Sequence, residues 1–167
     1  MRSVLSLSLF LLVAVFSFIS CKEEPAYPMY DPVAQAEADE ALIQEWMAKD
    51  TTIKNPVRTP NGVYYIKRQA GSGQQVAAGN SVKVHYIGRF LNGSVFESSY
   101  DSNSPFVFKV GSRQVIKGWD EGLPYMQKGE TARLYIPSGL AYGPAGSRSI
   151  PPSTVLVFDI NVLEVYP

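Results

Sequence analysis

The chain has very little of the side-chain chemistry that most enzymes rely on. Its 167 residues include one cysteine, Cys21, and one histidine, His85. A single thiol excludes an intrachain disulfide, and a single imidazole excludes any site that needs two. Together they cannot build a zinc centre. A Ser-His-acid site would have to use His85, and no Gly-x-Ser-x-Gly elbow accompanies it. There is no phosphate loop, and Gly71-Ser72-Gly73 is not a dinucleotide fingerprint because Val76 stands where the third glycine is required. No cofactor and no metal are expected. Basic and acidic side chains balance at 15 each, with no basic run and no aromatic-basic interleaving, so no nucleic-acid partner is expected. The longest apolar run, residues 4–19, falls short of the roughly 20 residues that a membrane-spanning helix needs.

What is present begins with that run. Met1 and Arg2 give it a short positive start, and residues 1–20 read as a secretory signal peptide outside the fold. Its end, Phe18-Ile19-Ser20-Cys21, resembles a bacterial lipobox, in which the cysteine becomes the lipidated first residue; Phe18 replaces the usual Leu. The plain alternative is an ordinary signal with an incidental thiol. Cleavage would remove one of the 15 basic side chains, Arg2, and leave 14 against 15 acidic ones, a net charge of −1. Residues 21–33 read as a tether, with Lys22-Glu23-Glu24 followed by Pro25, Pro28 and Pro32. Lys-Glu-Glu after a lipidated cysteine is similar to a surface-export signal of Bacteroidetes lipoproteins; otherwise it is a solvated charge cluster. The expected place is a lipid anchor in the bacterial cell envelope, at the outer membrane, on its periplasmic or surface face.

Residues 34–60 are expected to hold a helix and a linker. Asp31 caps, Pro32 takes the first helical position, and 34–49 is rich in Ala, Glu and Gln. Ala38, Leu42, Trp46 and Met47 supply a modest apolar stripe, read as a packing face; the helix either docks on the domain or serves as a stalk. Beyond the turn signals Asn55-Pro56 and Thr59-Pro60-Asn61-Gly62 the pattern changes to period two. Strands are predicted at 63–67, 81–90, 95–98, 106–108, 132–136 and 155–165. Val82, Val84 and Tyr86 share one face of the second, with His85 on the other in a structural role. Asn92-Gly93 closes a tight turn behind it. Leu156, Phe158, Ile160 and Val162 share the inner face of the last, against Asp159 and Asn161. Residues 137–152 form a long Gly-, Pro- and Ser-rich loop. The fold class is α+β: a twisted antiparallel sheet of five to six strands around a short helix, with an added N-terminal helix.

That short helix lies in Val115-Ile116-Lys117-Gly118-Trp119-Asp120-Glu121-Gly122-Leu123. Ile116, Trp119 and Leu123 recur at i, i+3 and i+7 and share a face. Gly118 and Gly122 are poor helix formers, so packing must hold the turn. An inward indole on a short helix can floor a pocket. Tyr86, Phe96, Phe106, Val115, Ile116, Trp119, Tyr142, Ile150 and Phe158 are apolar or aromatic residues near loops; each alone reads as core as readily as site.

The motifs decide between those readings. Val-His-Tyr-Ile-Gly at 84–88, Gly-Ser-Val-Phe-Glu-Ser-Ser at 93–99, Val-Ile-Lys-Gly-Trp-Asp-Glu-Gly at 115–122, Ala-Tyr-Gly at 141–143 and Ile-Pro-Pro-Ser-Thr-Val-Leu-Val-Phe-Asp at 150–159 occur in order. Residues 61–167 thereby resemble an FKBP-type peptidyl-prolyl cis-trans isomerase, and the preceding helix and tether resemble its Bacteroidetes lipoprotein members. The resemblance implies that Trp119 floors a proline pocket, Tyr86, Phe96 and Phe158 wall it, and Phe106 stands beside them. Val115 and Ile116 would form the rim, with the Ile116 N–H and the Tyr142 hydroxyl donating to substrate carbonyls, and Ile150 would close the loop side. The partners implied are proline-containing polypeptides, with macrolide-type inhibitors as competitors. Three departures stand out. Glu97 replaces the usual Asp that engages the pocket tyrosine, Ser102 stands where an Arg is common, and the 143–149 loop is one residue short and carries Pro144 and Arg148. They point to lowered activity with the pocket kept. A non-catalytic proline-binding module or chaperone, and an envelope structural lipoprotein docking through 34–49, are the rival readings.

Overall fold

The computed structural model describes residues 29–167. The signal peptide, Cys21, the Lys22-Glu23-Glu24 cluster, Pro25 and Pro28 lie outside the described residues. Helix α1 runs Pro32–Lys49, with Asp31 accepting from the N–H of Val33 at 2.8 Å and of Ala34 at 3.2 Å. The cap therefore works as expected, and the helix starts two residues before 34. Its buried face differs from the expected stripe: Asp39 and Ile43 are buried and Trp46 and Met47 are half-buried, whereas Ala38 and Leu42 are exposed. The stripe shifted because Asp39 reads as a solvent-facing residue by polarity, while in the fold its carboxylate meets buried partners.

Seven strands, all antiparallel, form one sheet: β1 Val57–Arg58, β2 Tyr64–Gln69, β3 Ser81–Phe90, β4 Val95–Ser98, β5 Phe106–Lys109, β6 Thr131–Ile136 and β7 Leu156–Tyr166. The order is β1-β2-β6-β7-β3-β4, with β5 also on β3. Strand β3 is long enough to serve both: its start pairs with β5 from Ser81 to Val84, and its end pairs with β4 from Ile87 to Arg89. The sheet is one or two strands larger than expected. The addition is β1, two exposed residues between prolines, too short to show any period; it pairs Val57 with Tyr65 and Arg58 with Tyr64.

Both faces of the sheet are covered. Leu156, Phe158, Ile160 and Val162 of β7 join Val82 and Val84 of β3 in the main core, as the alternation predicts. Ile43 of α1 packs with Tyr64, Ile66, Tyr135, Val155 and Val157 in a second cluster on the outer face, so the helix is docked on the domain. Helix α2, Lys117–Gly122, lies on the inner face and continues as a 3-10 turn at Leu123–Tyr125. Its glycines have a steric purpose. A Cβ on Gly118 would come within 2.3 Å of Ile136 Cγ2, and one on Gly122 within 2.6 Å of Leu134 Cδ1. Without side chains there, α2 settles directly on β6 and drives Trp119 and Leu123 into the core. A six-residue helix has no independent stability, so this contact is what makes it a helix.

The docking of α1 is testable by unfolding in urea. Ile43→Ala is expected to cost about 2–5 kcal/mol, the range for truncating a large buried aliphatic. An unchanged urea midpoint would mean that the helix contributes nothing to the fold.

Candidate active site

The rest of the inner face is a hollow at the open end of the sheet. Trp119 is 3% exposed at its base. The Tyr86 ring, from the middle of β3, meets it edge-on with centroids 5.0 Å apart, and Phe158, from β7, does the same at 5.2 Å. Both contacts place a positive ring edge against a negative face, the favoured aromatic geometry. Phe106, at the start of β5, stands on a third side at 6.5 Å and is stacked on Phe108 behind it. The floor is thus dry, while the lip is open: Phe106 is 40% exposed and Tyr142 36%. The cavity measures about 310 Å³ and is lined by Tyr86, Glu97, Phe106, Gln114, Val115, Ile116, Trp119, Tyr142 and Phe158. That is the small end of ligand pockets, the right scale for one apolar ring with some attached backbone.

Two sequence-predicted residues fall outside this lining. Phe96 lies behind Phe158, edge-on at 5.7 Å, and leans on Phe90 at 5.2 Å. Ile150 is buried in the main core. Cys21 is outside the described residues. Gln114 joins the lining and Phe108 buttresses it, neither of them foreseen. Gln114 precedes the Val115-Ile116 rim but has no distinctive chemistry, and Phe108 reads in sequence as ordinary strand core.

The polar groups at the mouth are few and oriented. Ile116 has extended backbone, φ −60° and ψ 147°, and its carbonyl accepts the first bond of α2 from the Trp119 N–H at 3.0 Å. Its own N–H makes no hydrogen bond among the described residues and remains available. The buried indole Nε1–H of Trp119 likewise has no acceptor there. Burial, followed by hydrogen bonding to Glu97 and its charge, pushes the Tyr86 phenol well above the ordinary tyrosine range. Burial, then the Glu97 charge, also raises Tyr142. Glu97 lines the same hollow as Tyr86 and Tyr142. Ser102 is exposed in a turn. The chain entering that turn is held instead by Ser99, whose Oγ accepts the Tyr86 N–H at 2.8 Å and lies 2.9 Å from His85 Nδ1. Tyr100 stacks on the His85 ring at 4.3 Å. Among the described residues no group of three or more His, Cys, Asp or Glu side chains is placed to hold a metal ion.

The site is an indole-floored aromatic hollow in a half-wrapped antiparallel sheet, rimmed by the Ile116 N–H and by phenols. The FKBP-type peptidyl-prolyl cis-trans isomerase family matches residues 72–163, more than half of the chain, and the chain belongs to that family. It is 51% identical over 88 residues to FK506-binding protein 1 of Saccharomyces cerevisiae, covering 52% of this chain and 77% of that one. It is 39% identical over 134 residues to a probable FKBP-type peptidyl-prolyl cis-trans isomerase of Haemophilus influenzae, covering 80% of this chain and 54% of the relative. The crystal structure of FkpA from Escherichia coli superposes with a TM-score of 0.68 at 36% identity, over 81% of this chain and 62% of that one. Several curated relatives are longer proteins, of which the chain spans between 24% and 54%.

The raised phenols have a measurable sign. Unfolded tyrosines ionise near the ordinary value of 10.0, while folded Tyr86 stays protonated there. The fold therefore loses stability as pH climbs past that value. An alkaline absorbance titration of wild type and Tyr86→Phe is expected to differ only above pH 10. A difference at or below the ordinary value would place this phenol in solvent.

Proposed function

We propose that the chain catalyses cis-trans isomerisation of X–Pro peptide bonds in polypeptides. The observation that carries this reading is the buried Trp119 under an aromatic hollow with an unengaged Ile116 N–H at its rim. Amide resonance sets the barrier to rotation at about 18–20 kcal/mol, and an uncatalysed X–Pro bond takes roughly tens to hundreds of seconds to turn. Rotation to the midpoint breaks resonance and makes the amide less polar. A water-poor aromatic hollow therefore favours the twisted amide over the planar one, which is differential binding of the transition state. Trp119 seats the pyrrolidine ring, with Tyr86, Phe158 and Phe106 around it. The Ile116 N–H and the Tyr142 hydroxyl donate to carbonyls on either side and hold the peptide in a turn. No nucleophile, acid or metal is called for. Macrolides that fill the hollow compete with substrate.

The clients are proteins of the bacterial envelope or proteins exported through it, and Cys21 carries a lipid that holds the domain at the membrane. The lipobox-like Phe18-Ile19-Ser20-Cys21 and the tether behind it support this placement.

A protease-coupled assay on Ala-Leu-Pro-Phe-type peptides tests the activity. The folded protein is expected to isomerise them above background, and Trp119→Ala to lower kcat/KM by roughly tenfold or more, about 1.4 kcal/mol of transition-state stabilisation. Background rates from folded protein would overturn the proposal. For the anchor, metabolic labelling with a fatty acid is expected to mark the wild-type chain and not Cys21→Ala; equal labelling of the two would remove it.

A further inference from the structure

Asp39 is an expensive residue where it stands. It is 1% exposed on the inner side of α1. No Lys or Arg among the described residues lies within salt-bridge distance of it. Its partners are hydrogen-bond donors: Oδ2 accepts the Ser138 N–H and the Ser138 Oγ–H, both at 2.7 Å, and Oδ1 accepts from Gln35 Nε2 at 2.8 Å. Taking a carboxylate out of water costs several kcal/mol before such bonds offset it. Docking α1 does not call for it, because an aliphatic residue beside Ile43 would bury apolar area at no such cost.

The partner explains the choice. Ser138, itself fully buried, opens the 3-10 turn Ser138–Leu140, and the residue before it is Pro137. The turn has no side-chain cap of its own, and its leading N–H is one of the donors that a helical start leaves without an internal partner. Asp39 caps it from 99 residues away. The turn leads straight to the lip of the hollow: Ala141 N–H closes back on Ser138 O at 3.0 Å, and Tyr142 follows. Beyond Tyr142 the loop is knitted to itself, with Ser153 N–H donating to Gly143 O and Ser147 N–H to Ile150 O, both at 2.9 Å. Tyr142 is therefore hung between a self-closed loop on one side and the Asp39 anchor on the other.

We infer that Asp39 is a positioning residue for the isomerase site: by capping Ser138 it sets where the Tyr142 hydroxyl stands over the hollow. The added helix, which lies wholly outside the family-matched residues 72–163, is thereby part of the working site. This rests on the isomerase reading above and goes beyond it.

The test is a double-mutant cycle in the full chain, with Asp39→Ala and Asp39→Asn each combined with Tyr142→Phe, read by peptide kinetics and by amide exchange. Asp39→Ala is expected to lower kcat/KM about three- to tenfold in the wild-type background and less than about twofold in Tyr142→Phe, because the two act through one hydroxyl. Asn keeps an acceptor for Ser138, so Asp39→Asn is expected to recover most of the loss. Exchange at amides 138–142 is expected to rise about tenfold in Asp39→Ala with the β3 amides unchanged, the mark of local opening. Equal losses in both backgrounds, or unchanged exchange at 138–142, would overturn the inference. Should Asp39→Ala fail to fold, Ser138→Ala takes its place in the cycle; it removes the Oγ–H bond and keeps the N–H bond to Asp39, so losses of the same sign and smaller size are expected, again only where Tyr142 is present, and equal losses in both backgrounds would overturn the inference. If the wild type has no isomerase activity, the functional reading falls, and the exchange measurement alone decides whether Asp39 holds the lip.

Discussion

The structure depends on seating one indole. Trp119 rides on a helix of six residues that could not persist in water, and it is buried only because the glycines before and after it let that helix lie flat on β6. Three strands then converge on the ring. Tyr86, Phe158 and Phe108 come from β3, β7 and β5 and meet it at centroid distances of 5.0 to 5.5 Å. The packing that anchors the helix and the packing that floors the hollow are therefore one set of contacts, and the site is as rigid as the core that it belongs to.

A division follows between a dry floor and a wetter lip. The floor has no charge, which on the proposed function suits an amide that loses polarity as it twists. The lip carries oriented donors: a rim N–H at Ile116 and phenols at Tyr86 and Tyr142 that stay protonated beside Glu97. Glu97 is the one carboxyl side chain in the lining, and burial first, with Glu97 beside them second, keeps the Tyr86 and Tyr142 hydroxyls in their donor form. On the proposed function, the hollow acts on a peptide bond by shape, dielectric and a few directed hydrogen bonds. Such a site has no catalytic dyad to find in a sequence, which is why the scarcity of histidine and cysteine excluded so much and yet did not exclude an enzyme.

The sheet carries a load on its outer face as well. Helix α1 covers Tyr64, Ile66, Tyr135 and Val157 with Ile43. Further along, Glu40 accepts from the Tyr64 hydroxyl and pairs with Arg58 of β1 at 3.1 Å. The two-residue β1 is held by this contact and by its pairing to β2. At Asp39 the outer layer reaches round to the turn that leads to the site, so that the added helix and the inherited hollow share a hydrogen-bonded joint.

Much of this was legible in the residues. The alternation of β3 and β7, the Asn92-Gly93 turn, the Asp31-Pro32 cap and the helical face of Ile116, Trp119 and Leu123 are local patterns, and local patterns are set by backbone geometry and side-chain polarity. The ordered motifs pointed to the family and to most of the lining. What polarity and spacing could not express was decided by tertiary contact. Phe96 and Ile150 read as pocket residues but are not in the lining, because Phe96 packs on Phe90 and Phe158 and Ile150 is buried in the main core, contacts that polarity along the chain does not express. Gln114 lines the hollow without any chemistry to announce it. Strand β1 is too short to have a period, and Asp39 looks like a surface charge until Ser138, nearly a hundred residues later, arrives to bond it. Sequence alone determined the class of fold and the family the chain belongs to, since both are carried by local patterns and ordered motifs along the chain. Tertiary structure decided which side chains line the hollow and what holds them there, since those answers need partners that only folding brings together.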